Sequence, residues 1–189
     1  MQELVLKATQ LDQWHTLVNE AQQNADCSLD QELESYLIFL LIRFSTNADM
    51  ANRYLGLDFL ESLQQQGRQR LSNLKDVGDH CLLFSGLFPQ IAKRRRVKIS
   101  YFVDLGRSAY RQLSDQARSS EHALFHELAH RFVLLMDVLL TIRSMDNTKT
   151  LLEPLQAYEL WNDTGSQSAG KILNQSHGAI IKPQNPAVH

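Results

Sequence analysis

Cysteine is scarce in this chain. Only Cys27 and Cys81 occur in 189 residues, too few for the disulfide framework that staples a small secreted domain, so a reducing compartment is expected. Long apolar runs are missing too. The longest, Tyr36 to Ile42, is seven residues bounded by Glu34-Ser35 and Arg43, whereas a bilayer span needs ~20. The N-terminal MQELVLKATQLDQWH holds no run of signal-peptide length. Residues 36–42 are therefore expected as a buried central helix, and the protein as cytoplasmic, with no membrane span. Nor does charge of one sign dominate: the formal net charge is -2, so attraction to nucleic acid or anionic lipid must be local if it exists.

Glycine and proline are few and unevenly placed. Three of eight glycines (Gly165, Gly170, Gly178) and two of four prolines (Pro183, Pro186) follow residue 162. The segment 162–189 is rich in Ser, Asn, Gln and Gly without sustained periodicity, and is expected as a mobile or loosely docked tail, with Ala179-Ile180-Ile181 able to dock on the body or on a partner. What remains, 1–161, reads as helix after helix, over roughly 10–25, 29–44, 48–75 (broken near Gly56 or Gly67), 79–87, 97–117, 119–143 and 148–161. Ser28 with Gln31 is expected to cap the second, Gly78-Asp79 to break and restart the chain, and Gly86 with Pro89 to end the helix that follows. No period-two alternation calls for a strand and no internal repeat is present. The expectation is an all-α, single-domain multi-helix bundle.

Positive charge gathers in one place. Lys93-Arg94-Arg95-Arg96-Val97-Lys98 puts five cations in six residues, and Arg107 and Arg111 follow. At ~100° per residue, Ile99, Phe102, Val103, Gly106, Tyr110 and Leu113 form a core face, with Gly106 marking a close helix crossing. Ser100, Asp104, Arg107 and Arg111 form a solvated one. The cations point to an anionic small ligand or an acidic protein partner. The bland alternative is a charged face paired with Asp104, Asp115 or acids elsewhere. Nucleic acid is not favoured, because the run lacks interleaved aromatics and no helix-turn-helix signature accompanies it.

The stretch LFHELAH (124–130) carries His126-Glu127-Leu128-Ala129-His130, an H-E-x-x-H pattern. Its helix has an apolar stripe of Leu124, Phe125, Leu128, Phe132, Leu135, Met136 and Leu139; His126 and His130 lie away from it, Asp137 shares their side and His122 borders it. Two histidines one turn apart can ligate one metal, with Glu127 as general base on a metal-bound water. A third ligand must come from elsewhere: a row of His122, His126 and His130 covers ~12 Å of helix, and Asp137 is also too far along the axis. The E-x-x-x-D element Glu159 to Asp163 resembles that of the gluzincin peptidases. That resemblance, confined to 126–130 and 159–163, implies His126, His130 and Glu159 as zinc ligands, Glu127 as base and Asp163 orienting a ligand histidine. Against it, Arg131 stands where those peptidases carry an uncharged residue, and no strand reads as a substrate-binding edge. Glu127-Leu128-Ala129-His130 is also the E-x-x-H of di-iron bundles, but the nearest second pair, Asp12-Gln13-Trp14-His15, has Asp for Glu. His80 and Cys81 are adjacent and diverge by ~100° on a helix, so they make no nucleophile–base pair; Cys81 is expected in the core.

The stretch GDHCLLFSGLFPQIAKRRRVKISYFVDLGRSAY (78–110) resembles an uncharacterised family of proteobacterial helical proteins. The likeness extends back to NRYLGLDFLESL (52–63) and on through the histidine helix, about two-thirds of the chain. It implies a bacterial cytoplasmic protein and no particular chemistry. The functional expectation is therefore a non-catalytic binding or regulatory module, without a cofactor, that uses Lys93, Arg94, Arg95, Arg96, Lys98, Arg107 and Arg111. The alternative is a zinc-dependent metallohydrolase built on His126, Glu127, His130 and Glu159.

Overall fold

A computed structural model describes residues 2–45, 55–145 and 152–177. Among them every element is helical: α1 (Gln2–Ala25), α2 (Gln31–Ser45), α3 (Leu55–Gln64), α4 (Gly67–Gly86), α5 (Gln90–Arg95), α6 (Ile99–Gln116), α7 (Ser119–His130), α8 (Phe132–Met145), α9 (Pro154–Thr164) and α10 (Gln167–His177). The chain is an all-α bundle.

Caps account for several boundaries. Asp30, not Ser28, opens α2, its Oδ1 accepting from the Leu33 amide at 3.0 Å. Ser28 lies too far ahead, because the Gln22 side chain accepts the Leu29 amide and prolongs the loop. Gly67, with φ of 63°, starts α4. Pro154 occupies the first turn of α9 behind a Glu153–Gln156 capping box, and Gly165, with φ of 75°, ends that helix. Gly86 and Pro89 bracket the α4–α5 corner as expected.

Other expectations are corrected. Gly78-Asp79 does not break the chain; α4 runs straight through it. Gly78 is there because a Cβ would lie 2.5 Å from the Tyr110 ring on α6, so it serves packing and not a turn. The expected helix 119–143 is two helices, interrupted at Arg131. The central helix is α8, buried on most sides by Phe132, Leu135, Met136, Val138, Leu139 and Leu140. By contrast α2 is amphipathic, with Phe39 exposed.

The core is built on the pairing of α4 with α6, with α8 packed behind α4 and α1 beyond it. Phe102, Val103, Gly106, Tyr110 and Leu113 of α6 are buried, as the helical spacing requires. Gly106 is the close crossing: a Cβ there would lie 2.6 Å from Phe132 and 2.8 Å from the Cys81 Cβ.

The boundary at residue 161 also moves. Residues 162–177 are the end of α9 and all of α10, docked with Ala169 and Leu173 buried. Asp137, expected on a polar face, is the reason. It is buried in α8 and accepts from Ser166 Oγ and, at 2.8 Å, from the Gln167 amide at the start of α10. Residues 178–189, including Ala179-Ile180-Ile181, lie outside the described residues.

Candidate functional site: a basic corner between α5 and α6

The basic run is the end of a short helix and the turn after it. Ile91 and Ala92 anchor α5 in the core. Its C-terminus closes with the Arg96 amide donating to the Lys93 carbonyl (3.2 Å) and the Val97 amide to the Ala92 carbonyl (3.0 Å). This double closure calls for a left-handed residue at the turn, usually glycine. Here that residue is Arg96, at φ 56°, ψ 39°. Left-handed backbone costs a side-chain-bearing residue on the order of 1 kcal/mol, so an arginine is held where a glycine would be more stable.

The seven cations named from sequence do not form one patch. Lys93, Arg94 and Arg96 are exposed, and no ion pair joins them to the described residues. Arg95 folds back over the Phe84 ring, 5.3 Å from its centroid, tying the corner to α4. Lys98 pairs across to α9, 3.4 Å from Asp163 and 3.7 Å from Glu159. Arg107 lies on the far half of α6, where its Nε donates to the Ala129 carbonyl of α7 at 3.3 Å. Arg111 is a further turn along and lines a separate cleft with His126 and His130. From Lys98 to Arg111 is ~20 Å of helix.

That separation also disperses the residues of the zinc reading. Glu159 and Asp163 belong to the start of α6: Ser100 Oγ donates to Asp163 at 2.9 Å, and this hydrogen bond, with the nearby Lys98, holds the Asp163 carboxyl below its ordinary value. His126 and His130 face the far half of α6 instead. The histidine rings do form a ladder, stacked at 6.2 Å from His122 to His126 and 6.4 Å from His126 to His130. His122 is the tethered end, with Nδ1 2.9 Å from the Ser114 carbonyl. Glu127 is taken up by Arg131 at 3.1 Å. Among the described residues no three histidine, cysteine or acidic side chains converge as metal ligands.

No family model, curated protein or solved structure matches the chain.

A polar cluster that sequence reasoning missed lies at the heart of the bundle. Asp79 has no exposed surface, yet its carboxylate accepts from Tyr36 (2.5 Å), Tyr110 (2.7 Å), Lys75 (2.8 Å) and Arg43. Burial alone would raise this carboxyl. Lys75 and Arg43, with the hydrogen bonds, outweigh burial and hold it below its ordinary value. The two tyrosines move the other way, pushed well up by burial and by the Asp79 charge. Every oxygen is satisfied, so the cluster reads as a clamp joining α2, α4 and α6. The available signal was Lys75 and Asp79, four apart on one helix; nothing local pointed to the tyrosines. Cys81 is fully buried, with its thiol pushed up by desolvation, and His80 Nδ1 is turned to the Asp76 carbonyl of its own helix. Cys81 is core, as expected, and His80 is buried beside it.

Proposed function

We propose that the protein is a non-catalytic binding module whose α5–α6 corner takes an acidic protein segment, with Lys93, Arg94 and Arg96 as the contacting cations. One observation carries this reading: an arginine is kept in left-handed backbone at the apex of an anchored turn, where glycine is the stable choice. Strain of this kind persists where the surroundings hold it in place, and it clusters at functional sites. The surroundings support it. Ile91 and Ala92 are buried and Arg95 lies over Phe84, so the backbone under the cations is already ordered and binding need fix only their side chains. The reading retains part of the basic segment, 93–98, and sets Arg107 and Arg111 aside as belonging to another place on α6. Within it the protein needs no cofactor.

The test separates stability from binding. Arg96→Gly should raise Tm by roughly 2–4 °C, the equivalent of about 1 kcal/mol relieved, while weakening binding of a fluorescent oligoglutamate peptide in an anisotropy titration. Arg94→Glu should weaken the same binding about tenfold with Tm unchanged, and the wild-type affinity should fall with added salt. Equal affinity in wild type, Arg96→Gly and Arg94→Glu would sink the reading.

A further inference from the structure

The basic corner runs on into an apolar surface. Single exposed apolar side chains are ordinary, but a contiguous group marks a contact site. Leu57 and Leu60 of α3 are 60% and 58% exposed, and Tyr101 of α6 is 42% exposed. Gly56 brings them together. A Cβ there would lie 2.6 Å from the Tyr101 hydroxyl, so the missing side chain lets the ring reach α3. Leu60 follows Gly56 by one turn on the same face, and Leu57 stands three residues before Leu60. Tyr101 is also tied to the corner. Its amide donates to the Lys98 carbonyl at 3.1 Å in the first turn of α6, and Arg96 stands two residues before Lys98. The strip therefore has opposite ends. Lys93, Arg94 and Arg96 make one positive, and exposed Glu61, one turn after Leu57, makes the other negative.

We infer that the acidic segment bound at the corner is amphipathic, with acids on Lys93, Arg94 and Arg96 and apolar side chains on Tyr101, Leu60 and Leu57. This rests on the corner as an acid-binding surface and adds the second half of the partner. Charge fixes which half goes where: acids laid over α3 would meet Glu61, so they stay at the corner and apolar groups follow. Lys98 to Tyr101 is ~4.5 Å of helix and Gly56 to Leu60 ~6 Å. With a tyrosine side chain between them, about six extended residues at ~3.3 Å each cover the whole strip. The cations supply salt-sensitive attraction, and the strip supplies burial that salt does not screen. No bond is made or broken.

Two fluorescent peptides of equal charge test it by anisotropy: four glutamates alone, and four glutamates followed by two leucines. Wild type should bind the leucine peptide about tenfold tighter, a fraction of what two fully buried leucines could give. Leu57→Ser with Leu60→Ser should abolish that gain and leave the affinity for the glutamate peptide unchanged. Both leucines are at the surface, and circular dichroism checks that the variant folds. Arg94→Glu should weaken both peptides about tenfold and keep their ratio. Raising salt should weaken both while the ratio persists. The two readings then fail separately. Equal affinity for the two peptides in wild type, or a gain that survives the double serine variant, overturns the amphipathic partner and leaves the corner standing. If Arg94→Glu changes neither peptide, the corner is not an acid-binding surface and the inference falls with it. Vesicles containing phosphatidylserine are the rival ligand. Sedimentation with them that needs Leu57 and Leu60, with the two peptides bound equally, assigns the surface to a membrane instead.

Discussion

Asp79 shows at the residue scale how much one side chain can organise. Four donors from three helices meet on a carboxylate that has lost all contact with water. Asp79→Asn would turn a neutral amide toward Arg43 and Lys75 and remove the charge that both share. Breaking a fully buried pair costs about 3–5 kcal/mol, but the Arg43 and Lys75 side chains keep 43% and 33% of their surface in water, so the cost should be about 2 kcal/mol and Tm should fall by roughly 4–8 °C in a thermal melt. A variant that melts within a degree of wild type would mean the clamp is not structural. The pH dependence follows from the direction of its shift. A carboxyl held below its ordinary value contributes stability that is fully present above ~3.9, the unfolded value, and is lost as pH falls through the lower folded value. Wild type should therefore lose stability steeply below about pH 4, and Asp79→Asn should show a shallower acid limb.

At the scale of elements, α10 depends on a residue of α8. Burial raises the Asp137 carboxyl, although Ser166 and the Gln167 amide partly offset the rise. Its sign is therefore opposite to that of Asp79: its contribution is largest at low pH and declines as pH rises through the raised value. What it supplies at any pH is an acceptor for the first turn of α10. Asp137→Ala should cost about 1–2 kcal/mol, as loss of a cap does, and the loss should be local. Hydrogen exchange should speed up at the amides of 169–175 while α4 and α6 keep their protection. Uniform acceleration across the bundle would show instead that α10 and the core open together. The interruption at Arg131 is a second decision at this scale. It divides the polar, histidine-bearing α7 from the apolar α8, letting α7 follow α6 while α8 turns into the core.

The whole molecule decides what the histidine motif can become. Glu159 is drawn to Lys98 at one end of α6, and His126 and His130 flank the other. A zinc site of the peptidase kind needs all three at about 2 Å from one ion, which this packing does not allow. Untagged protein purified without chelator should therefore carry well under one zinc per chain by elemental analysis. About one equivalent, lost on both His126→Ala and Glu159→Ala, would overturn this and revive the hydrolase reading.

The sequence by itself determined the class of fold and one face of α6. Low glycine and proline, few cysteines and a three-to-four-residue spacing leave helices as the way to bury these side chains, and Phe102, Gly106, Tyr110 and Leu113 lie inward because helical geometry is local. Cys81 was legible for the same reason. Tertiary structure alone decided the remainder, because the remainder depends on contacts between residues distant in the chain. Asp137 looks like a surface acid until α10 arrives to be capped, and 162–177 looks like a tail until Asp137 and the core receive it. Gly78 reads as a breaker until the Tyr110 ring needs its space. Seven cations close in sequence become a corner, a bridge to α9 and a cleft wall, because a helix carries residues 13 apart ~20 Å from one another. The strain at Arg96 was invisible for the same reason: only a turn pinned by Ile91, Ala92 and the α6 start forces that arginine into the left-handed region.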